Sequence, residues 1–205
     1  MRNIRFRHLL YDPHTRAAFF LVGGTAYHFL YGSFRLIASI RSPMRSPDMA
    51  AFFYLSLAVS RLFLLRAYRE GGEKDAACRF SGRVLFVTVG IMLLLLAETA
   101  TLPQMLSPFY VLIVSGGYAV TSVGLTIAEL LYLKRLKSPL LSASRAVGLA
   151  STLLSSALFI SDVVDSVYLL GDGVKTAVRL IVGALALLIL LFFAVGLSYK
   201  GKSDA

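Results

Sequence analysis

At 205 residues, with 57% hydrophobic and only 16% charged side chains, the chain has a mean hydropathy of +0.74 and a formal net charge of +10. Soluble domains carry about 25% charged residues. The deficit here runs along the whole chain, which excludes a water-exposed globule and makes lipid the solvent. The positive surplus fits membrane topology, because cytoplasmic loops collect Lys and Arg, and no nucleic-acid partner is needed to explain it.

A bilayer core about 30 Å thick needs roughly 20 apolar residues per helix. Six stretches meet or approach that length, predicting an all-α membrane protein with transmembrane helices at 17–40, 49–65, 84–102, 109–133, 140–161 and 176–199. They form one polytopic domain over residues 1–205. Residues 1–16 read as a basic arm on the inner surface. The first apolar run is full-length and lacks a small-residue cleavage site, so it is expected to stay as a helix rather than be removed as a signal.

In the first helix, Gly24, His28, Tyr31 and Arg35 recur at spacings of four, three and four, which is one helical face. Such a stripe either packs against the bundle or lines a ligand or ion path. A lone histidine there is a packed, hydrogen-bonded residue before it is a metal ligand. The turn RSPMRSPD leads to the second helix, whose Tyr54 and Arg61 also share a face. Arg61 either snorkels to the nearby headgroups or takes an internal partner.

Residues 67–83 carry both charge signs and a Gly-Gly pair, and read as a flexible cytoplasmic connector between two halves. Cys78 within it is the single cysteine, which leaves no internal disulfide or cysteine-based metal site. The third helix is featureless apart from Glu98. An ionised carboxylate in hydrocarbon costs at least ~2.5 kcal/mol, and Arg35, at a similar outer depth, is its expected partner.

The fourth helix has Gly116 and Gly117 near its outer third and a stripe of Tyr118, Ser122, Thr126 and Glu129. After the turn KRLKSP, the fifth brings Arg145 to the depth of Glu129 and Arg61. It is rich in small polar residues, among them Ser142, Ser144, Ser151, Thr152, Ser155 and Ser156. Residues 162–175, with Asp162, Asp165 and Asp172, read as a solvated acidic loop. The sixth helix is uniformly apolar after Arg179 and is expected to face lipid or a sister subunit. An orientation with both termini cytoplasmic puts fourteen of the 21 basic residues inside and four outside. That sets an N-in, C-in protein of the cell membrane whose basic inner face attracts anionic lipids.

The two triplets of helices share features. GGTAYHFLYGSFRL and GGYAVTSVGLTIAEL both open on a glycine pair and run toward a basic turn with a Ser-Pro step. This is either a 3+3 inverted repeat, as in secondary transporters, or a chance recurrence in apolar sequence. The segments FFYLSLAVSRLFLLRAYRE and YAVTSVGLTIAELLYLKRLKSPLLSASRAVGLASTLLSSALF resemble an uncharacterised group of small six-helix integral membrane proteins from Gram-positive bacteria. The matching positions are Tyr54, Arg61, Tyr118, Lys134, Lys137, Ser138, Pro139, Leu140, Ser142 and Ser151, and the resemblance covers about a third of the chain. It implies a six-helix topology and no established chemistry.

No metalloprotease, phosphate-loop or nucleophile-elbow motif occurs, and no catalytic residue, metal site or cofactor is expected. The leading expectation is a small-solute transporter built on intramembrane charges. Arg35 and Glu98 lie toward the outer side and Arg61, Glu129 and Arg145 toward the inner, with His28, Tyr54, Tyr118, Ser122 and Thr152 between them. The solute is not specified. The alternatives are a non-catalytic subunit, solute-binding or scaffold, of a larger membrane complex or homo-oligomer, and, third, an intramembrane lipid-modifying enzyme.

Overall fold

A computed structural model describes residues 13–41, 49–70, 74–101, 109–133, 138–167 and 171–200, and among these every regular element is an α-helix. The elements are α1 (Pro13–Arg41), α2 (Met49–Glu70), α3 (Lys74–Thr101), α4 (Phe109–Leu133), α5 (Pro139–Ser166) and α6 (Asp172–Lys200). The basic arm up to residue 12, both Ser-Pro connectors' flanks at 42–48 and 134–137, and the side chain of Glu98 lie outside the described residues. So does any test of the Arg35–Glu98 pair.

Several helices outrun their apolar windows. Within the expected connector at 67–83, the described residues 67–70 and 74–83 are helical, so α2 extends to Glu70 and α3 starts at Lys74. Charged residues there extend the helices rather than end them, because an exposed helical turn tolerates Arg and Glu and gains from pairs such as Arg66–Glu70, at i,i+4 and 3.0 Å. The acidic segment after 161 is corrected in the same way. Asp162 and Asp165 belong to α5, which ends where the Val167 amide turns back to the Val164 carbonyl at 3.3 Å. Asp172 opens α6, where an acid suits the positive end of the helix. At the start of α5, Ser138 is extended (φ −110°, ψ 131°) and Pro139 takes the first helical position, where its missing N–H costs nothing.

Five helices, α2 to α6, are long and apolar enough to cross a membrane. The sequence predicts six, and α1 is the one that falls short in composition although it is 29 residues long. Its Thr25, Tyr27, His28, Tyr31, Ser33 and Arg35 dilute the apolar run. The surface has the pattern expected of lipid contact. Phe19, Leu30, Ile40, Phe109, Val120, Leu131 and Phe192 point outward, far more exposed apolar surface than a monomer in water carries.

Around the bundle, α1 packs on α2, α2 on α3, α3 on α6, α6 on α5 and α5 on α4, and α4 closes the ring on α1. The α1–α4 contact is the thinnest seam. Helix α5 touches all five others and is the hub. Phe53, Tyr54, Leu57, Leu85, Leu154 and Leu190 are fully buried at the centre. Lipid tails are as apolar as leucine, so close packing and hydrogen bonds carry the association. Gly116 on α4 shows the packing: a Cβ there would stand 2.8 Å from the Phe159 ring on α5. Several serines and threonines outside the site hide their hydroxyls on their own helices, as Thr88 does on the Leu85 carbonyl (2.6 Å) and Ser81 on that of Ala77 (3.0 Å).

Candidate functional site

The polar stripe of α1 faces inward as its spacing predicts, with His28, Tyr31 and Arg35 all buried. Opposite it stands the stripe of α4, where Tyr118, Ser122, Thr126 and Glu129 are buried too. The two stripes and the small-residue flank of α5 meet in a continuous polar seam through a bundle that is otherwise apolar.

At the end where α1 begins, Arg61 reaches across from α2. Its Nη2 donates to Glu129 Oε2 on α4 at 3.0 Å, and its Nη1 donates to the Phe20 carbonyl on α1 at 3.2 Å. Ser144 of α5 donates to the other carboxylate oxygen of Glu129. The pair is enclosed, with side-chain exposures of 5% and 3%, so Arg61 takes an internal partner and does not snorkel. Two glycines make the enclosure. A Cβ on Gly24 would collide with the Arg61 guanidinium, and one on Gly148 would lie 2.8 Å from Arg61 Nη2 and 3.0 Å from Glu129 Oε2. Only glycine lets α1 and α5 close this tightly over a charge. Arg145 stays apart, donating from Nε to the Leu141 carbonyl of its own helix at 3.2 Å. Glu129 thus has one arginine partner where the sequence suggested two.

Midway along the seam, the Tyr118 ring is sandwiched between two tyrosines of α1, Tyr31 at 3.7 Å and Tyr27 at 4.4 Å between centroids, both nearly parallel. Tyr54 meets it edge-on at 5.1 Å. This aromatic stack fixes the Tyr118 hydroxyl, which lies 2.7 Å from His28 Nδ1 and 3.2 Å from Ser151 Oγ. Tyr27 is hydrogen-bonded to Thr121 and donates to the Tyr118 carbonyl at 3.0 Å. Between the aromatic stack and the ion pair, Thr152 bridges Thr126 (2.7 Å) and Ser122 (3.0 Å).

A cavity of about 40 Å³ occupies the space between these two layers, bordered by Gly24, His28, Arg61, Ser122, Thr126 and Glu129. It has room for two or three waters. It reaches the lipid-facing seam between α1 and α4 at Phe19, Gly23 and Leu125, all exposed. The Nε2 atom of His28 and the Nε atom of Arg61 are buried at this place without a hydrogen-bond partner among the described residues. A donor or acceptor left so in a protein interior is costly.

At the opposite end, Arg35 of α1 donates to Ser115 Oγ at 3.3 Å and stands 3.8 Å from Asp162 of α5. Arg179 of α6 grips Asp165 of α5, with Nη1 at 2.8 and 3.0 Å from the two carboxylate oxygens.

The structure therefore gathers His28, Tyr54, Arg61, Tyr118, Ser122, Glu129 and Thr152 into one seam, sets Arg35 at its far end, and leaves Arg145 outside. Sequence reasoning missed Tyr27, Ser144 and Asp162. Tyr27 lies one residue off the α1 stripe, Ser144 was one serine among many, and Asp162 fell beyond the apolar window that defined α5. No family model matches the chain, and no curated protein is similar to it.

Proposed function

We propose that this protein is a non-enzymatic small-solute permease seen in a closed state, with Arg61 and Glu129 forming the gate at its inner end. The observation that supports this reading is the enclosed ion pair beside a cavity bordered by His28, whose buried Nε2 has no hydrogen-bond partner among the described residues. A buried pair contributes no more stability than well-packed apolar residues of the same size, and ionisable residues within a membrane are expensive and mark pathways. In this reading Arg35–Asp162 and Arg179–Asp165 form the outer closure, both termini are cytoplasmic, α1 is the sixth span, and the six-helix Gram-positive group is its kin.

The cavity admits only water, so passage requires the thin α1–α4 seam to part, a hinge or shear motion of the kind packed helices allow. The test is flux into proteoliposomes, followed by stopped-flow light scattering with glycerol, urea and glycine and by an entrapped pH dye for protons. The expected result is permeation above protein-free vesicles, higher still in Glu129→Gln, which loosens the closed gate and leaves the arginine in place. A disulfide between Gly23→Cys and Leu125→Cys, in a Cys78→Ala background, should close the seam and stop it reversibly. Absence of flux for all four probes would overturn the reading. The small cavity volume favours a second reading, a non-catalytic subunit of a larger membrane complex, which predicts stoichiometric co-purification of another membrane protein.

A further inference from the structure

The hydrogens around the cavity beside the Arg61–Glu129 pair can be counted. Tyr118 Oη lies 2.7 Å from His28 Nδ1 and 3.2 Å from Ser151 Oγ, and Ser151 Oγ stands 3.4 Å from the same ring nitrogen. Within this buried triangle both hydroxyl hydrogens find acceptors when Nδ1 is bare: Tyr118 donates to Nδ1, and Ser151 to the Tyr118 oxygen. A hydrogen on Nδ1 would strand one of the hydroxyl hydrogens without an acceptor, which is costly in an interior. The count therefore assigns His28 the neutral tautomer with its hydrogen on Nε2. A doubly protonated ring fails by the same count.

That Nε2–H is one of two donors without an acceptor at this place. The other is Arg61 Nε–H. Both residues line the cavity, and both atoms are buried with no partner among the described residues. The wall carries no surplus charge, because Arg61 and Glu129 are the charged residues among the described lining and are paired at 3.0 Å. What the cavity lacks is an acceptor rather than a charge. An anion would supply one but leave an unbalanced negative charge beside Glu129 in a water-poor interior. A cation such as guanidinium brings only donors. An uncharged oxygen accepts from both N–H groups without either conflict. The approach agrees, since the cavity reaches the lipid-facing seam at the exposed Phe19, Gly23 and Leu125, a route far less costly for a neutral molecule than for an ion.

We infer that the cavity is a binding site for a small uncharged solute with an oxygen acceptor, of the amide or urea kind, held by His28 Nε2–H and Arg61 Nε–H. With the seam closed, water meets the two donors. The solute takes the place of that water when α1 and α4 part. This names the solute class of the proposed permease and rests on the same cavity, and binding is measured separately from transport.

The test uses the full chain in nanodiscs with ¹⁵N-labelled histidine, the His28 signals being assigned by their loss in His28→Gln. The ring should show a bare Nδ1 and a protonated Nε2. Urea should shift the Nε2–H proton saturably, with a Kd in the millimolar range expected of so small a ligand. Guanidinium and acetate, planar and of the same number of non-hydrogen atoms, should give no saturable shift at or below about 0.2 M, where neither urea nor guanidinium unfolds a typical domain. A protonated Nδ1, no saturable urea shift, or equal shifts with either ion would overturn the site. In the flux assay, urea and glycerol should pass at least about tenfold faster than glycine and protons. His28→Leu should lower urea flux, and His28→Gln, which restores an N–H, should recover part of it. Glycine or protons passing as fast as urea would overturn the solute class. Saturable urea binding without any flux would overturn the permease and leave the binding site standing.

Discussion

The two ends of the polar seam handle charge differently. At the α1 start, one arginine and one glutamate are sealed together, and the seal recruits four helices: Arg61 from α2, Glu129 from α4, Ser144 from α5 and the Phe20 carbonyl from α1. At the far end, two separate arginines reach two acids on neighbouring turns of α5, each acid retaining 12–14% exposure. The sealed end is a single lock on which the whole α1–α2–α4–α5 contact depends. The open end is two local clasps that tie the tip of α5 to α1 and to α6. Loss of a partner is therefore severe at the first end and partial at the second.

The largest effect that would break this contrast is at the lock. Arg61→Ala leaves Glu129 buried without its counter-charge and should lower unfolding free energy by about 3–5 kcal/mol, read as a large drop in thermal melting in detergent. Joint replacement, Arg61→Leu with Glu129→Leu, should regain most of the loss. A double variant as unstable as the single one would show that the pair is not the unit. Next comes its enclosure. Gly148→Ala places a methyl within 2.8–3.0 Å of both charged groups and should cost about 1–3 kcal/mol. Gly124→Ala on α4, where a Cβ meets nothing within 4 Å, should be neutral or stabilising by up to about 1 kcal/mol.

At the open end the effects shrink. Asp165→Asn removes a charged bond at 2.8 Å and should cost about 1.5 kcal/mol. Asp162→Asn, whose arginine stands 3.8 Å away, should cost less than about 1 kcal/mol. If the order of these two reverses in the same melting assay, the far end is itself a lock around Arg35. Smallest of all is Glu70→Gln, which breaks an exposed pair on α2 and should shift stability by about 0.3–0.5 kcal/mol. A larger shift would show that the pair is more than a solvated surface contact.

Much of this is legible in the chain itself. The spacing of Gly24, His28, Tyr31 and Arg35, and of Tyr118, Ser122, Thr126 and Glu129, specifies which faces turn inward, because period 3.6 and burial of polar groups act together. What spacing does not carry is which of several cations at one depth takes an acid. Arg61 and Arg145 are equivalent by position along the membrane, and only the approach of α1 and α5 through Gly24 and Gly148 selects Arg61. Helix ends escape the sequence for a related reason. An uninterrupted apolar run ends at the first charged residue, and the hydrogen-bonded helix continues past it, so α5 carries Asp162 and Asp165 and α3 carries Arg79. The span of α1 shows the opposite failure, since the residues that build the seam are those that lower its hydropathy.

The sealed pair also has a history. Arg61 precedes Glu129 by 68 residues. At about 5–20 residues per second, it leaves the ribosome roughly 3–14 s before its partner. For that interval α1 and α2 lie in or beside the bilayer with an unmatched cation, whose long side chain has headgroups within reach. The hub helix α5, with the Ser144 hydroxyl, comes later still. Assembly of the amino-terminal half is thus provisional, and the arrival of the fourth and fifth helices draws the guanidinium inward and commits the bundle. A chain truncated after α3 should remain accessible to insertase or protease at α2 for as long as Glu129 is missing.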